Sequence, residues 1–284
     1  MRCVSFEIGG VRRYGLLEGE NVSAARPGFA ARYPDLRAVL AANALAELAG
    51  NVEPVSVTAD ALEFLPAIPE PGKILCVGVN YRPHVEEMGR DVPDYPVVFV
   101  RFPSSLVGHG RALVRPRVSS RYDYEGELAV VIGKAGRYVG RDRAWDCVAG
   151  LCPLLDGSVR DYQRHSGQFT PGKNFPATGA MGPALVTLDE VGDPDELALE
   201  TRVNGEVLQR GRLAELIFDV PRLIEYCSTF TRLEPGDVIA TGTPGGVGAA
   251  RQPPRWLVPG DIVEVDVGPA GCLRNQVVDE ADSG

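Results

Sequence analysis

Histidine is scarce in this 284-residue sequence: His84, His109 and His165 are the only three. A histidine-rich zinc site is therefore excluded. The six cysteines (Cys3, Cys76, Cys147, Cys152, Cys227 and Cys272) form no C-x-x-C pair, and most lie in apolar runs. They read as buried thiols of a cytoplasmic protein, not as a disulfide framework or a zinc site. No apolar run is long enough to span a membrane. The first ten residues alternate like a strand and lack the apolar segment of a signal peptide. Positive charge is in deficit, with 29 Lys and Arg against 38 Asp and Glu, a net charge of -9 and a pI near 5.0. A chain-wide basic footprint is absent, so neither nucleic acid nor a membrane is expected as a partner. The glycine-rich run Thr241-Gly-Thr-Pro-Gly-Gly-Val-Gly248 is followed by no Lys-Ser/Thr, which excludes a P-loop, and it does not fit the dinucleotide fingerprint. It is either a loop needing positive φ angles or a row of backbone N–H groups facing an anion.

What is present is a soluble globular composition, 44% hydrophobic and 24% charged, in a length that suits one large domain or a small one joined to a larger one. Residues 1–24 read as a meander with turns at Gly9-Gly10 and Glu18–Asn21. The Ala/Leu-rich stretch Asp35–Leu48 reads as helical, capped by Asp35 and stopped at Gly50. The irregular, proline-bearing stretch 51–71 marks a boundary, giving a small N-terminal domain (1–70) and a catalytic domain (71–284). Beyond it, Lys73–Val79 and Val97–Phe102 read as strands, Asn204-Gly205 as a hairpin turn, and Val220–Phe230 as a helix with Pro221 in its first turn. Glu234-Pro-Gly-Asp-Val-Ile and Val258-Pro-Gly-Asp-Ile-Val each read as a turn feeding a strand.

The chemistry concentrates between Arg121 and Lys173. In Tyr124-Glu-Gly-Glu-Leu-Ala-Val-Val-Ile132, strand periodicity puts Tyr124, Leu128, Val130 and Ile132 on one face and Glu125, Glu127, Ala129 and Val131 on the other. Two like charges side by side on a buried strand repel, and a hard divalent cation between them removes that cost. An acidic, solvated edge strand is the alternative. A second apolar run, Cys147–Leu155, ends at Asp156, placed to complete an oxygen-ligand site, although Asp-Gly is also an ordinary turn. Three carboxylates around one divalent ion leave a net negative charge, so an anionic substrate needs further cations, which Arg160 and Lys173 can supply. His84 and Glu87 stand at i and i+3 in a polar segment, a spacing that suits a carboxylate-held general base or an accidental surface pair. His109, between two glycines, reads as structural, and His165 as exposed.

Asp123-Tyr-Glu-Gly-Glu-Leu-Ala-Val-Val-Ile-Gly-Lys134 resembles the signature strand of the fumarylacetoacetate hydrolase family. The runs Cys76–Gly89 and Leu233–Gly248 resemble further motifs of that family in the same order, and the resemblance extends from about Lys73 to Asp279. It implies a β-rich α+β roll with few helices, usually dimeric. It implies Glu125, Glu127 and Asp156 as ligands of Mg2+ (or Mn2+ or Ca2+), with His84 and Glu87 as base pair on a lid. Lys173 then lies beside the metal, and Arg160, Gln163 and Thr243 face a small anionic 2-oxo acid. The implied activity is a metal-dependent hydrolase cleaving a C–C bond in an acylpyruvate-like 2-oxo or diketo acid. The alternative is an isomerase or decarboxylase of an unsaturated 2-oxo diacid. A non-catalytic metabolite-binding protein is a third class, which the loss of His84 or of a ligand would favour, and none is lost. Relatives continue after the lysine with Phe-Asp-Thr or Phe-Gly-Thr. Here Asn174-Phe175-Pro176-Ala177-Thr178 removes the hydroxyl near the metal or shifts it by one residue. A cytoplasmic homodimer is expected.

Overall fold

Alternating segments become strands and glycine-bearing turns reverse them, beginning with the antiparallel meander Arg2–Ile8, Val11–Glu18 and Asn21–Ala25. The computed structural model describes residues 1–55, 62–89 and 91–281. Among these, the meander forms one end of a 13-stranded mixed sheet. From that end the order runs through Leu185–Val186, Val148–Leu155, Gly126–Ile132, Val238–Ala240 and Ile74–Gly78 to the edge strand Val97–Val100. A 5-stranded sheet, in the order 206–212, 198–203, 262–266, 272–279 and 113–115, covers one face of the large sheet. The fold is β-rich α+β, with one helix of eleven residues and otherwise short helical turns.

Gly126–Ile132, the strand that carries Glu127, is buried along its whole length. It pairs antiparallel with Val148–Leu155 on one side and with Val238–Ala240 on the other. Its two faces enter two cores. Leu128, Val130 and Ile132 pack with Val203, Val263, Val265 and Leu273 from the second sheet. Ala129 and Val131 belong to a core that also holds Cys3, Phe29, Leu36 and Leu48 from the first fifty residues. Full burial of each larger aliphatic side chain contributes roughly 1.5–3 kcal/mol. The boundary expected at 70/71 thus runs through a continuous sheet and a shared core. Residues 56–61, within the stretch read as irregular, lie outside the described residues; flanking them, Val52–Pro54 and Glu63–Phe64 pair with the meander.

Most expected elements are present. Asn204 (φ 54°) and Gly205 (φ 81°) make the turn between Ala198–Val203 and Glu206–Arg212, and Val220–Phe230 is a helix whose cap Asp219 accepts the Arg222 N–H at 2.8 Å. In the two Pro-Gly-Asp turns the aspartate reaches back to the same place: Asp237 accepts from Glu234 N–H at 2.8 Å, and Asp261 from Val258 N–H at 3.0 Å. The Ala/Leu-rich stretch differs from expectation. Asp35 caps it as read, but Asn43 takes a left-handed conformation (φ 53°) that splits it into Leu36–Ala41 and Leu45–Ala49. All six cysteines are free thiols, five of them buried. No helix among the described residues is long and apolar enough to cross a membrane.

Candidate active site and metal centre

Gly126–Ile132 and its neighbour end at the same level. Asp156, just past Leu155, donates its N–H to the Glu125 carbonyl at 2.8 Å, which fixes the third carboxylate beside the first two. Glu125, Glu127 and Asp156 are 4%, 2% and 0% exposed, and each offers a ligand oxygen within 4.8 Å of the others. Burial, together with the Asp156 and Glu125 charges, pushes the Glu127 carboxyl well above its ordinary range. Burial acts in the same direction on Glu125, but Arg160, Lys173 and His84 outweigh it and hold that carboxyl low. A buried, all-oxygen cluster of three carboxyls, one of them driven toward its neutral form by burial and its acidic neighbours, is a donor set that a divalent cation such as Mg2+, Mn2+ or Ca2+ fits.

Three cations brace these acids. The buried Lys173 ammonium donates to Glu125 Oε2 and Asp156 Oδ2 and lies 5.0 Å from the centre of the Phe99 ring. Burial favours its neutral form, but the two carboxylates outweigh this and raise its pKa. Arg160 Nε donates to Asp123 at 2.7 Å, Nη1 to Gln163 at 3.0 Å, and Nη2 lies 2.6 Å from Glu125 Oε1. Arg101, 2% exposed, donates to Asp156 Oδ1 at 2.5 Å and to Gly157 O at 3.0 Å. With Asp123 included, four buried carboxylates face three buried cations, a formal charge of minus one. A divalent ion turns that into plus one, which suits an anionic substrate.

His84 lies in the helical turn Arg82–Glu87, its Nδ1 2.7 Å from Glu87 Oε1. An ionised Glu87 places the ring proton on Nδ1 and leaves the Nε2 lone pair free to act as a base. The other Glu87 oxygen accepts the Gly246 N–H at 2.8 Å. Gly246 has φ +100°, and a Cβ there would lie 2.1 Å from the Leu208 carbonyl oxygen, so only glycine fits. The glycine-rich loop does face anions, and those it meets are the protein's own carboxylates. Gly242 donates to Glu127 at 2.9 Å, while Gly248 and Ala249 donate to Asp123 at 2.8 and 2.9 Å. The Thr243 hydroxyl donates to Gly126 O and accepts from Gln209, both at 2.8 Å, so it has no proton left for a ligand.

All the residues singled out from the sequence except Glu87 line one cavity of about 520 Å³. Glu87 stands behind His84. The acids and Lys173 form the polar floor, and Val77, Val97, Phe99 and Phe169 supply apolar wall. The sequence reading missed Arg101, Asp123 as a brace, and Gln209. An arginine directly after the apolar strand Val97–Val100 was a usable signal for the first. The threonine hydroxyl sought after Lys173 is present: Thr178 accepts from Arg101 Nη2 at 3.2 Å, in the layer behind Asp156. His109 accepts the Arg274 N–H at 3.2 Å, a structural role, and His165 is exposed against Tyr162.

The sequence model of the fumarylacetoacetate (FAA) hydrolase C-terminal region matches residues 73–278. The chain belongs to the fumarylacetoacetate hydrolase family. Among its relatives in that family, the oxaloacetate tautomerase YisK of Bacillus subtilis is 45% identical over 214 residues, 74% of this chain and 71% of that protein. The fumarylacetoacetate hydrolase of Exiguobacterium antarcticum superposes with a TM-score of 0.86 at 33% identity, covering 99% of this chain and 100% of that one. The maleylpyruvate hydrolase of Sphingobium sp. SYK-6, solved with manganese(II) and pyruvate, gives 0.79 at 27% identity over the same shares. The β-rich α+β fold is thus that of fumarylacetoacetate hydrolase structures, and the family relatives are enzymes that differ in reaction.

Proposed function

We propose that the chain is a divalent-metal-dependent enzyme that interconverts the keto and enol forms of a small 2-oxo acid. One observation carries this reading: a single base, His84, oriented by Glu87, lines the same cavity as the Glu125–Glu127–Asp156 triad. Proton transfer next to a carbonyl needs one oriented base and positive charge at the oxygen that becomes negative. Bound by the triad, a divalent ion would supply Lewis-acid stabilisation to the oxygens of the 2-oxo acid. His84 Nε2 takes a proton from C3, the C2 oxygen gains the negative charge, and the same proton is returned to oxygen or to carbon. Glu87 stabilises the imidazolium while the proton rests there. Lys173, at the floor, adds positive charge near the charged oxygen while it holds Glu125 and Asp156, and the Phe99 and Phe169 walls keep water away. The 45% identity to an oxaloacetate tautomerase supports the same reading.

The reading placed first from sequence, hydrolysis of a C–C bond in an acylpyruvate-like acid, stays as the second. The cavity, about 520 Å³, leaves room for a longer substrate and a water, and His84 would then deprotonate that water for attack on the distal carbonyl. Hydrolysis needs this additional placed molecule, which is why it ranks behind proton transfer. The test is a pair of assays on protein loaded with Mg2+ or Mn2+. Decay of enol-oxaloacetate absorbance should accelerate with the parent and fall back to the uncatalysed rate with a chelator. Release of pyruvate from acetylpyruvate, without effect on oxaloacetate, would replace the tautomerase reading with the hydrolase.

A further inference from the structure

We infer that Arg164 holds the distal carboxylate of the substrate, which makes the preferred ligand a 2-oxo dicarboxylate and not a 2-oxo monoacid. This rests on the floor of the cavity taking the 2-oxo end, as proposed above. Arg160, Gln163 and Arg164 follow one another at i, i+3 and i+4 across the helical turn Arg160–Gln163, so they share a face, and all three line the cavity. The cations that line the cavity are in different states. Arg160 is held by Asp123, Gln163 and Glu125, and Lys173 by Glu125 and Asp156. Both therefore neutralise the protein's own acids. Arg164 is exposed, and among the described residues its side chain has neither an ion pair nor a hydrogen bond.

The acids lining the cavity are Glu125, Glu127 and Asp156, gathered within 4.8 Å at the floor. Beside Arg164 the lining is Ser166 and Gly167, and the Ser166 hydroxyl is already tied to Gln168. A positive charge without a counter-charge thus stands at the mouth of a cavity whose floor is built for an anion's other end. The planar guanidinium fork matches a carboxylate at two points.

The test uses the full chain loaded with Mn2+ and two probes of equal carbon number, 2-oxoglutarate and 2-oxovalerate, which differ in the distal carboxylate. Calorimetry on the parent should give tighter binding of the diacid. Arg164→Ala should weaken 2-oxoglutarate by roughly tenfold, the scale of a charged hydrogen bond discounted for exposure, and leave 2-oxovalerate unchanged. Arg164→Lys should restore part of the loss. Equal affinity of Arg164→Ala and parent for 2-oxoglutarate overturns the assignment, as does an equal loss for both probes, which would mean a merely structural role. If the parent binds neither probe in the presence of Mn2+, the 2-oxo acid reading of the floor fails as well. A parent that binds both equally removes only Arg164.

Discussion

Asp156 is gripped from both sides, by Arg101 through Oδ1 and by Lys173 through Oδ2. Removing one partner of a buried pair leaves an uncompensated charge, which costs far more than the pair contributed. Arg101→Ala should therefore lower stability by roughly 3–5 kcal/mol, read as a shifted urea midpoint. A change within 0.5 kcal/mol would mean that Arg101 is not a brace. Glu127→Ala should lose bound metal, because one of three ligands goes. Full occupancy by elemental analysis would remove the triad from consideration. His84→Ala separates chemistry from binding: it should keep metal and oxalate while turnover falls by about two to four orders of magnitude. Near-full turnover would shift the base role to another group. His109 gives a pH effect away from the site. Burial, then Arg274, lowers its pKa below the ordinary 6.5, so the folded chain prefers the neutral ring. Its contribution is present above pH 6.5 and is lost as pH falls through that value toward the lowered one. His109→Gln should lose less thermal stability than the parent between pH 7.5 and 5.5, and parallel curves would contradict this.

At the scale of elements, the glycine-rich loop ties the His84–Glu87 pair to the acidic cluster. It donates to Glu127, to Asp123 and to Glu87, so helix Arg82–Glu87 and the strand that carries Glu127 are positioned by one stretch of backbone. Gly246→Ala would have to adopt φ +100° and overlap the Leu208 carbonyl. We expect it to release Glu87 and reduce turnover at least tenfold, with metal affinity little changed; parent-like kinetics would show that the loop does not position the base. The strand that opens just after Glu125 and carries Glu127 was readable because a period of two is local and strong. The His84–Glu87 pair was readable as one helical turn. Arg101 was signalled only by its place after an apolar strand; that it braces Asp156 was not readable, since the two are fifty-five positions apart and only the fold brings them together. The break at Asn43 was hidden by the alanine-rich helix signal around it, which outweighs one left-handed residue.

For the whole molecule, the described residues among the first seventy are structural partners of the strand that carries Glu127. Leu36, Leu48 and Phe29 share a core with Ala129 and Val131, and Arg2–Ile8 pairs with Leu185–Val186. Charge compensation inside that body has a consequence for the order in which the protein matures. With Lys173, Arg101 and Arg160 already neutralising most of the buried acid, the chain can complete its fold before any ion arrives. A divalent ion would then be loaded late, onto a chain that is already folded. Chelator-treated protein should unfold cooperatively, and Mn2+ should raise its midpoint by mass action, about 2.7 kcal/mol at one hundred times Kd. A chelated chain without a cooperative transition would mean that the ion is part of folding itself.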